Sequence, residues 1–162
     1  MREDFSTKSV CSWEWPSSPL QRFRIDFNSP FLGCMFLVVV DAHSRGLEVE
    51  KMDTTTSGKT TEKLQNLSAR YGVPAQLLSD NGVQFKLEEF QLFLKRNGMK
   101  HVTLEPDQLS SSGLAEGCAQ SFKSGLKIET EVKPLNIKFE TFLLDYRNTT
   151  IQPPESHHHG CF

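Results

Sequence analysis

Three carboxylates stand in settings from which they could act together: Asp26, Asp80 and Glu116. Asp80 follows a short apolar run and opens an Asn-Gly pair, which is a strong turn signal. Carboxylates gathered from separate elements repel one another unless cations lie between them. Two hard divalent cations about 4 Å apart are the usual arrangement for in-line displacement at phosphorus, and Mg²⁺ needs few protein ligands there. These residues therefore favour metal-dependent phosphoryl transfer, although an Asp before a turn is by itself more often a simple turn-former.

The composition fits one folded domain in a reducing, intracellular compartment. The chain has 162 residues, 37% of them hydrophobic and 23% charged, which argues against disorder. Its four cysteines are scattered without a CxxC pair, so neither a zinc site nor a disulfide framework is indicated. The first residues are charged, and no apolar run is long enough for a secretory signal or a membrane span. The net charge is −2, so any affinity for DNA must come from a local basic patch.

The hydrophobic periodicity predicts an α/β domain with a mixed five-stranded sheet, three antiparallel strands followed by alternating helix and strand, and helices on both faces. In the first strand Phe23, Ile25 and Phe27 share one face, which leaves Arg24 and Asp26 on the other. The predicted strands are residues 22–27, 35–40, 47–52, 76–79 and 100–104, with a turn at 28–30. The predicted helices begin near Thr56 or Ser57 (Leu64, Leu67 and Tyr71 inward) and cover 87–96 (Leu87, Phe90, Phe93 and Leu94 inward), 113–128 and 135–147 (Leu135, Phe139, Phe142, Leu143 and Tyr146 inward).

Five motifs occur in a fixed order: RIDFNSPF, FLVVVDAHSR, ARYGVPAQLLSDNGVQF, FLKRNGMKH and SGLAEGCAQSFK. Together they resemble the integrase catalytic core of gypsy-type (Metaviridae) LTR retrotransposons, or of host genes derived from them. The resemblance runs from about residue 13 to residue 147. The Asp-Asp-Glu triad of that family maps onto Asp26, Asp80 and Glu116, and the 35 residues between Asp80 and Glu116 match the spacing in retroviral-type integrases.

The resemblance implies a ribonuclease H-like fold in residues 20–150, between an irregular lead-in (1–19) and an unstructured tail (151–162). It also implies Mg²⁺, with Mn²⁺ as a substitute, held by Asp26, Asp80 and Glu116. The implied activity is nicking of DNA ends and their transfer into target DNA. Water is the nucleophile of the nicking step, and a DNA 3′-hydroxyl is the nucleophile of strand transfer.

The partners implied by the resemblance are DNA and a second copy of the chain in a homodimer. No membrane and no small-molecule substrate are expected, and a role on DNA places the protein in the nucleus. The expected DNA contacts are Asn81 in the turn, and Gln120, Lys123 and Lys127 on the helix that carries Glu116. For the two lysines, simple complementation of the helix dipole is an equally good interpretation.

The chain departs from the family pattern around the third carboxylate. Residues 108–113 read QLSSSG where the family usually has a His-Pro-x-x-Asn-Gly loop, and Gly117 stands where an Arg is usual. A glycine there costs about 1 kcal/mol of helix stability. Three interpretations therefore stay open: a DNA-cutting and -joining enzyme, a catalytically inactive domesticated integrase fold that binds nucleic acid or protein, and an element remnant without a selected role.

Overall fold

A computed structural model describes residues 16–31, 33–105, 124 and 134–150. No helix in these ranges is both long enough and apolar enough to cross a membrane. The helix predicted over 113–128 lies outside the described residues, apart from Ser124, which is helical. The described elements are, in chain order, β1 (Arg22–Phe31), β2 (Cys34–Asp41), β3 (Leu47–Met52), α1 (Ser57–Tyr71), β4 (Gln76–Ser79), α2 (Val83–Lys86), α3 (Glu88–Arg96), β5 (Lys100–Thr103) and α4 (Leu135–Thr150).

The five strands form one sheet in the order β3-β2-β1-β4-β5. The pairs β1–β2 and β2–β3 are antiparallel, whereas β1–β4 and β4–β5 are parallel. Parallel neighbours need a crossover connection: α1 carries the chain from β3 across to β4, which pairs with β1, and α3 connects β4 to β5. The predicted mixed five-stranded sheet is confirmed.

Apolar clusters cover both faces of this sheet, because alternate residues of each strand point to opposite sides. On one face Phe23, Ile25 and Leu77 pack with residues of α1, α2 and α3. On the other, Phe36, Val38 and Val40 pack against α4. The inward residues predicted for α4 are confirmed, and they are Leu135, Phe139, Phe142, Leu143 and Tyr146.

Strand β1 is longer than predicted, and the turn expected at residues 28–30 is wrong. The backbone stays extended to Phe31 and pairs with β2, with a break in register between Asn28 and Phe31. A proline is tolerated in a strand at such an irregularity. The chain reverses next to Gly33, whose φ of 75° suits glycine.

Helix α1 begins and ends where the sequence predicts. The side chain of Thr56 caps its N-terminus by accepting from the backbone N–H of Lys59 (3.4 Å), and Gly72 caps its C-terminus with φ 111°. Two predicted inward residues are wrong, since Tyr71 is 46% exposed and Leu87 is 47% exposed. Tyr71 is the last residue of α1, and Leu87 is an extended residue between α2 and α3. Arg24, which the sequence placed on the non-core face, is buried, so that face is covered as well.

Candidate active site

The pairing of β1 with β4 brings two of the predicted acidic residues side by side. Arg24 is the register partner of Leu78 in this parallel pair. Two residues further along each chain, Asp26 is level with Asp80, just past the end of β4. Adjacent strands lie about 4.8 Å apart, and a step of two residues keeps both side chains on one face. Asp26 and Asp80 are both half-buried, and the continued register places them level with each other at the carboxyl end of β4 and halfway along β1.

A tight turn fixes the Asp80 carboxylate. Its Oδ1 accepts a hydrogen bond from the backbone N–H of Gly82 (2.9 Å). A Cβ on Gly82 would lie 2.9 Å from that oxygen and 3.0 Å from Nε2 of Gln84, which explains the glycine although its φ is −54°. Among the residues that the structure describes, none donates a hydrogen bond to the second oxygen of Asp80. The turn therefore holds the carboxylate by one oxygen and leaves the other for a ligand.

Stacked aromatic rings support the two acidic residues from the opposite side of the sheet. Phe27 directly follows Asp26, and its ring stacks on that of Phe85 in α2 (centroids 5.4 Å apart). Phe85 is almost wholly buried and also contacts Phe90 of α3 at 5.4 Å. These contacts fix the middle of β1 against the helix that follows the Asp80 turn.

A polar network that the sequence does not announce lies beside the same turn. The hydroxyl of Ser79 donates to the carbonyl of Asp80 (2.9 Å) and lies 2.8 Å from Nε2 of His101. The amide of Gln91 donates to the carbonyl of Phe85 (2.6 Å) and lies 2.8 Å from Nδ1 of His101. The three side chains come from β4, β5 and α3, so only the folded sheet brings them together.

Burial lowers the pKa of His101 below its usual 6.5, because the charged imidazolium loses hydration there. The ring of Phe90 packs against the imidazole in a T-shaped contact, with the ring centroids 5.7 Å apart. At neutral pH this histidine is therefore uncharged beside the Asp80 turn.

The remaining predicted site residues are divided between the described and the undescribed parts of the chain. Asn81 is exposed in the turn next to Asp80. The other four, namely Glu116, Gln120, Lys123 and Lys127, lie outside the described residues, so their predicted roles stay predictions.

The donor set at this edge suits a hard cation, since carboxylate oxygens are the ligands that Mg²⁺ prefers. Within the ranges 16–31, 33–105 and 134–150, no group of three His, Cys, Asp or Glu side chains could hold a metal. Asp26 and Asp80 therefore stay predicted ligands, and the predicted third ligand, Glu116, lies outside those ranges.

Comparison with solved structures identifies the fold. The catalytic core domain of HTLV-2 integrase in complex with magnesium (trimeric form) superposes with a TM-score of 0.70 at 22% identity, covering 84% of this chain and 90% of that one. A chain of the simian T-cell lymphotropic virus intasome, solved with the PP2A regulatory subunit B56γ, gives 0.70 at 23% identity, covering 77% and 47%. The predicted ribonuclease H-like fold is confirmed.

Two curated relatives are similar in sequence. The uncharacterized protein K02A2.6 of Caenorhabditis elegans is 33% identical over 138 residues, which is 85% of this chain. The Pol polyprotein of caprine arthritis encephalitis virus (strain Cork) is 30% identical over 108 residues, or 67% of this chain. This chain spans about a tenth of each relative, 11% and 10% respectively. The Integrase core domain family matches residues 16–108, so the chain belongs to that family.

Proposed function

We propose that this chain is the catalytic core of a gypsy-type retrotransposon integrase, or of a host gene derived from one. Its activity would be metal-dependent nicking of DNA ends and their transfer into target DNA. The observation that carries the proposal is the register of β1 on β4, which brings Asp26 level with Asp80 in a chain of the Integrase core domain family. Carboxylates of two separate elements are brought together at a cost that a bound cation offsets.

Asp26, Asp80 and Glu116 would hold the metal, Mg²⁺ first and Mn²⁺ as a substitute. Divalent cations bound there supply activation of the attacking oxygen and charge stabilisation at the leaving oxygen. The magnesium in the related HTLV-2 integrase core supports this choice. The protein's own part is positioning: the Gly82 N–H fixes one oxygen of Asp80, and the Phe27–Phe85 stack fixes β1 next to Asp26.

The DNA would lie across the edge of the sheet where Asp26 and Asp80 meet. Asn81 is exposed beside Asp80 and can contact a phosphate or a base edge. On the helix that carries Glu116, the residues Gln120, Lys123 and Lys127 would contact phosphates and so give the binding its salt dependence. Assembly as a homodimer and action in the nucleus complete the proposal.

A disintegration assay on branched DNA tests the activity, because it demands only the core of such an enzyme. With Mg²⁺ or Mn²⁺ the parent should give product, and the Asp26→Asn, Asp80→Asn and Glu116→Gln variants should not. Asp53→Asn is the matched control, since Asp53 is an exposed residue that follows β3. A folded, metal-saturated parent that gives no product would contradict the proposal.

The departures at residues 108–113 and Gly117 favour a second candidate, a catalytically inactive integrase fold that binds nucleic acid or protein. Ligands that lose their supporting residues lose rate by large factors even when no ligand is replaced. A DNA affinity that falls with salt but survives both EDTA and Asp80→Asn would identify this binding role.

A further inference from the structure

We propose that His101 is a positioning residue of the candidate active site: through Ser79 and Gln91 it ties both ends of the Asp80–Phe85 segment to the body of the domain. The inference rests on the proposed function, because it assigns His101 a role for the site around Asp80. The hydrogen-bond chain runs from the carbonyl of Asp80, through Ser79, His101 and Gln91, to the carbonyl of Phe85.

Counting donors and acceptors gives the chain a single direction. Ser79 has one hydroxyl hydrogen, and it is donated to the carbonyl of Asp80, so the contact with His101 must be donated by Nε2–H of the imidazole. Gln91 has two amide hydrogens, of which one goes to the carbonyl of Phe85 and the other to Nδ1 of His101. The neutral Nε2–H tautomer satisfies every group.

No other state of the three side chains does so. A proton on Nδ1 would face the amide hydrogens of Gln91, whether His101 were the other neutral tautomer or the cation. Turning the Gln91 amide over would relieve that contact but would place its oxygen 2.6 Å from the carbonyl oxygen of Phe85. The arrangement is thus fixed by its chemistry as well as by packing against Phe90.

The segment held in this way contains the turn that presents the carboxylate. Within it, Asp80 Oδ1 accepts from Gly82, and the N–H of Phe85 donates to the carbonyl of Gly82 (3.1 Å). These bonds shape the turn, but they do not fix it relative to the sheet. The hydrogen bonds to His101 in β5 and to Gln91 in α3 fix both ends of the segment relative to the sheet. Catalytic groups need placement within about 0.5 Å, so a loosened segment would weaken the site without any ligand being lost.

The simpler interpretation is a polar network that serves stability only. The two interpretations differ in where a substitution is felt. If the network is purely structural, a substitution in it lowers the free energy of unfolding and leaves the folded site unchanged. If the network positions the site, a substitution of His101 weakens metal affinity and turnover in protein that is fully folded. Substitutions of Gln91 and Ser79, the partners of His101, then have the same effect.

The test uses the full chain, with Mg²⁺ titrated while the backbone amide shifts of Asn81 and Gly82 are followed by NMR. His101→Phe keeps the ring against Phe90 but removes both hydrogen bonds, and we expect its Mg²⁺ affinity to fall about tenfold to a hundredfold, with a similar loss of kcat in the disintegration assay. His43→Phe is the matched control. The ring of His43 also makes a hydrogen bond, to the backbone carbonyl of Pro16 (2.8 Å), but His43 lies in the turn after β2. It should leave both values unchanged.

Two further variants keep the test decisive if His101→Phe folds poorly. His101→Gln retains a donor toward Ser79 and should recover part of the affinity. Gln91→Glu cannot donate to the carbonyl of Phe85 and draws a proton to Nδ1, so the ¹⁵N shifts of the His101 ring should change from the Nε2–H pattern while Mg²⁺ affinity falls. The inference is wrong if all three variants bind Mg²⁺ as the folded parent does. If the parent itself shows no Mg²⁺ shift at Asn81 and Gly82, the proposed function fails instead.

Discussion

Two turns in this domain begin with an aspartate at the end of a strand, and they use it differently. In the turn after β2, both carboxylate oxygens of Asp41 accept hydrogen bonds from the turn itself. Oδ1 accepts from the N–H of His43 (3.2 Å), and Oδ2 accepts from the hydroxyl of Ser44 (2.7 Å). In the turn after β4, Oδ1 of Asp80 accepts from the N–H of Gly82, and no other residue that the structure describes donates to this carboxylate. The Asp41 carboxylate stabilises its own turn through both oxygens, whereas the Asp80 carboxylate is held by its turn through one oxygen.

The neighbours in the sheet make the same distinction. Asp41 is paired with Phe23, at the end of the sheet where β1 begins. Asp80 is level with Asp26, in the middle of the same strand. A local sequence of strand, Asp and turn therefore has two meanings, and long-range strand pairing decides between them. A carboxylate with a spare oxygen beside a second carboxylate is the one that suits a cation.

The largest expected effect comes from making one substitution in both turns. Asp80→Asn keeps an oxygen for the Gly82 N–H, so the fold should survive while DNA strand-transfer activity falls at least about a thousandfold, the scale of losing a principal catalytic group. Asp41→Asn should leave that activity unchanged and lower the free energy of unfolding by about 1 kcal/mol, because it removes a charge-assisted bond from Ser44. Activity assays and urea unfolding of both variants check this. Equal activity losses in two folded proteins would remove the distinction.

A smaller effect should distinguish a glycine that is needed for space, Gly82, from one that is needed for its positive φ, Gly98. Gly82→Ala has an allowed φ, but its Cβ would press on Asp80 Oδ1 and on Gln84, so we expect about a tenfold loss of activity with little change in stability. Gly98→Ala has no atom within 4 Å of its Cβ but has φ +69°, so it should lose about 1–2 kcal/mol of stability and no activity. Thermal unfolding and the disintegration assay measure both. A Gly82→Ala variant with full activity would show that the turn tolerates a displaced carboxylate.

Much of the fold could be predicted because local signals agree with it. Apolar and polar residues alternate in β1, and β2 is apolar on both faces. Thr56 and Gly72 cap the two ends of α1, and each of these signals agrees with the observed element. The failures lie where tertiary contacts override local signals. Helix α2 has only four residues, too few for a periodic signal, and it forms around the buried ring of Phe85.

The candidate site divides in the same way. Asp26 and Asp80 could be found because each has a recognisable motif around it, and the register of two strands then brings them together. Ser79, Gln91 and His101 could not be found, because their types are ordinary and their contacts span 10 to 22 residues of chain. A sequence states the polar residues, and only the packed sheet and helix decide which of them meet.

The smallest expected effect is a pH dependence that belongs to the Asp80 side of the comparison. Burial lowers the folded-state pKa of His101 below the 6.5 of the unfolded chain, so between these values the unfolded state binds more protons and the free energy of unfolding rises with pH. This contribution is fully present above about pH 6.5 and is lost as the pH falls through the folded pKa. Urea unfolding between about pH 7 and pH 5.5 should show the slope in the parent and in His43→Phe, the substitution in the Asp41 turn, and a flatter profile in His101→Phe. An unchanged slope in His101→Phe would assign the pH dependence to another group and remove the neutral histidine from the account of this turn.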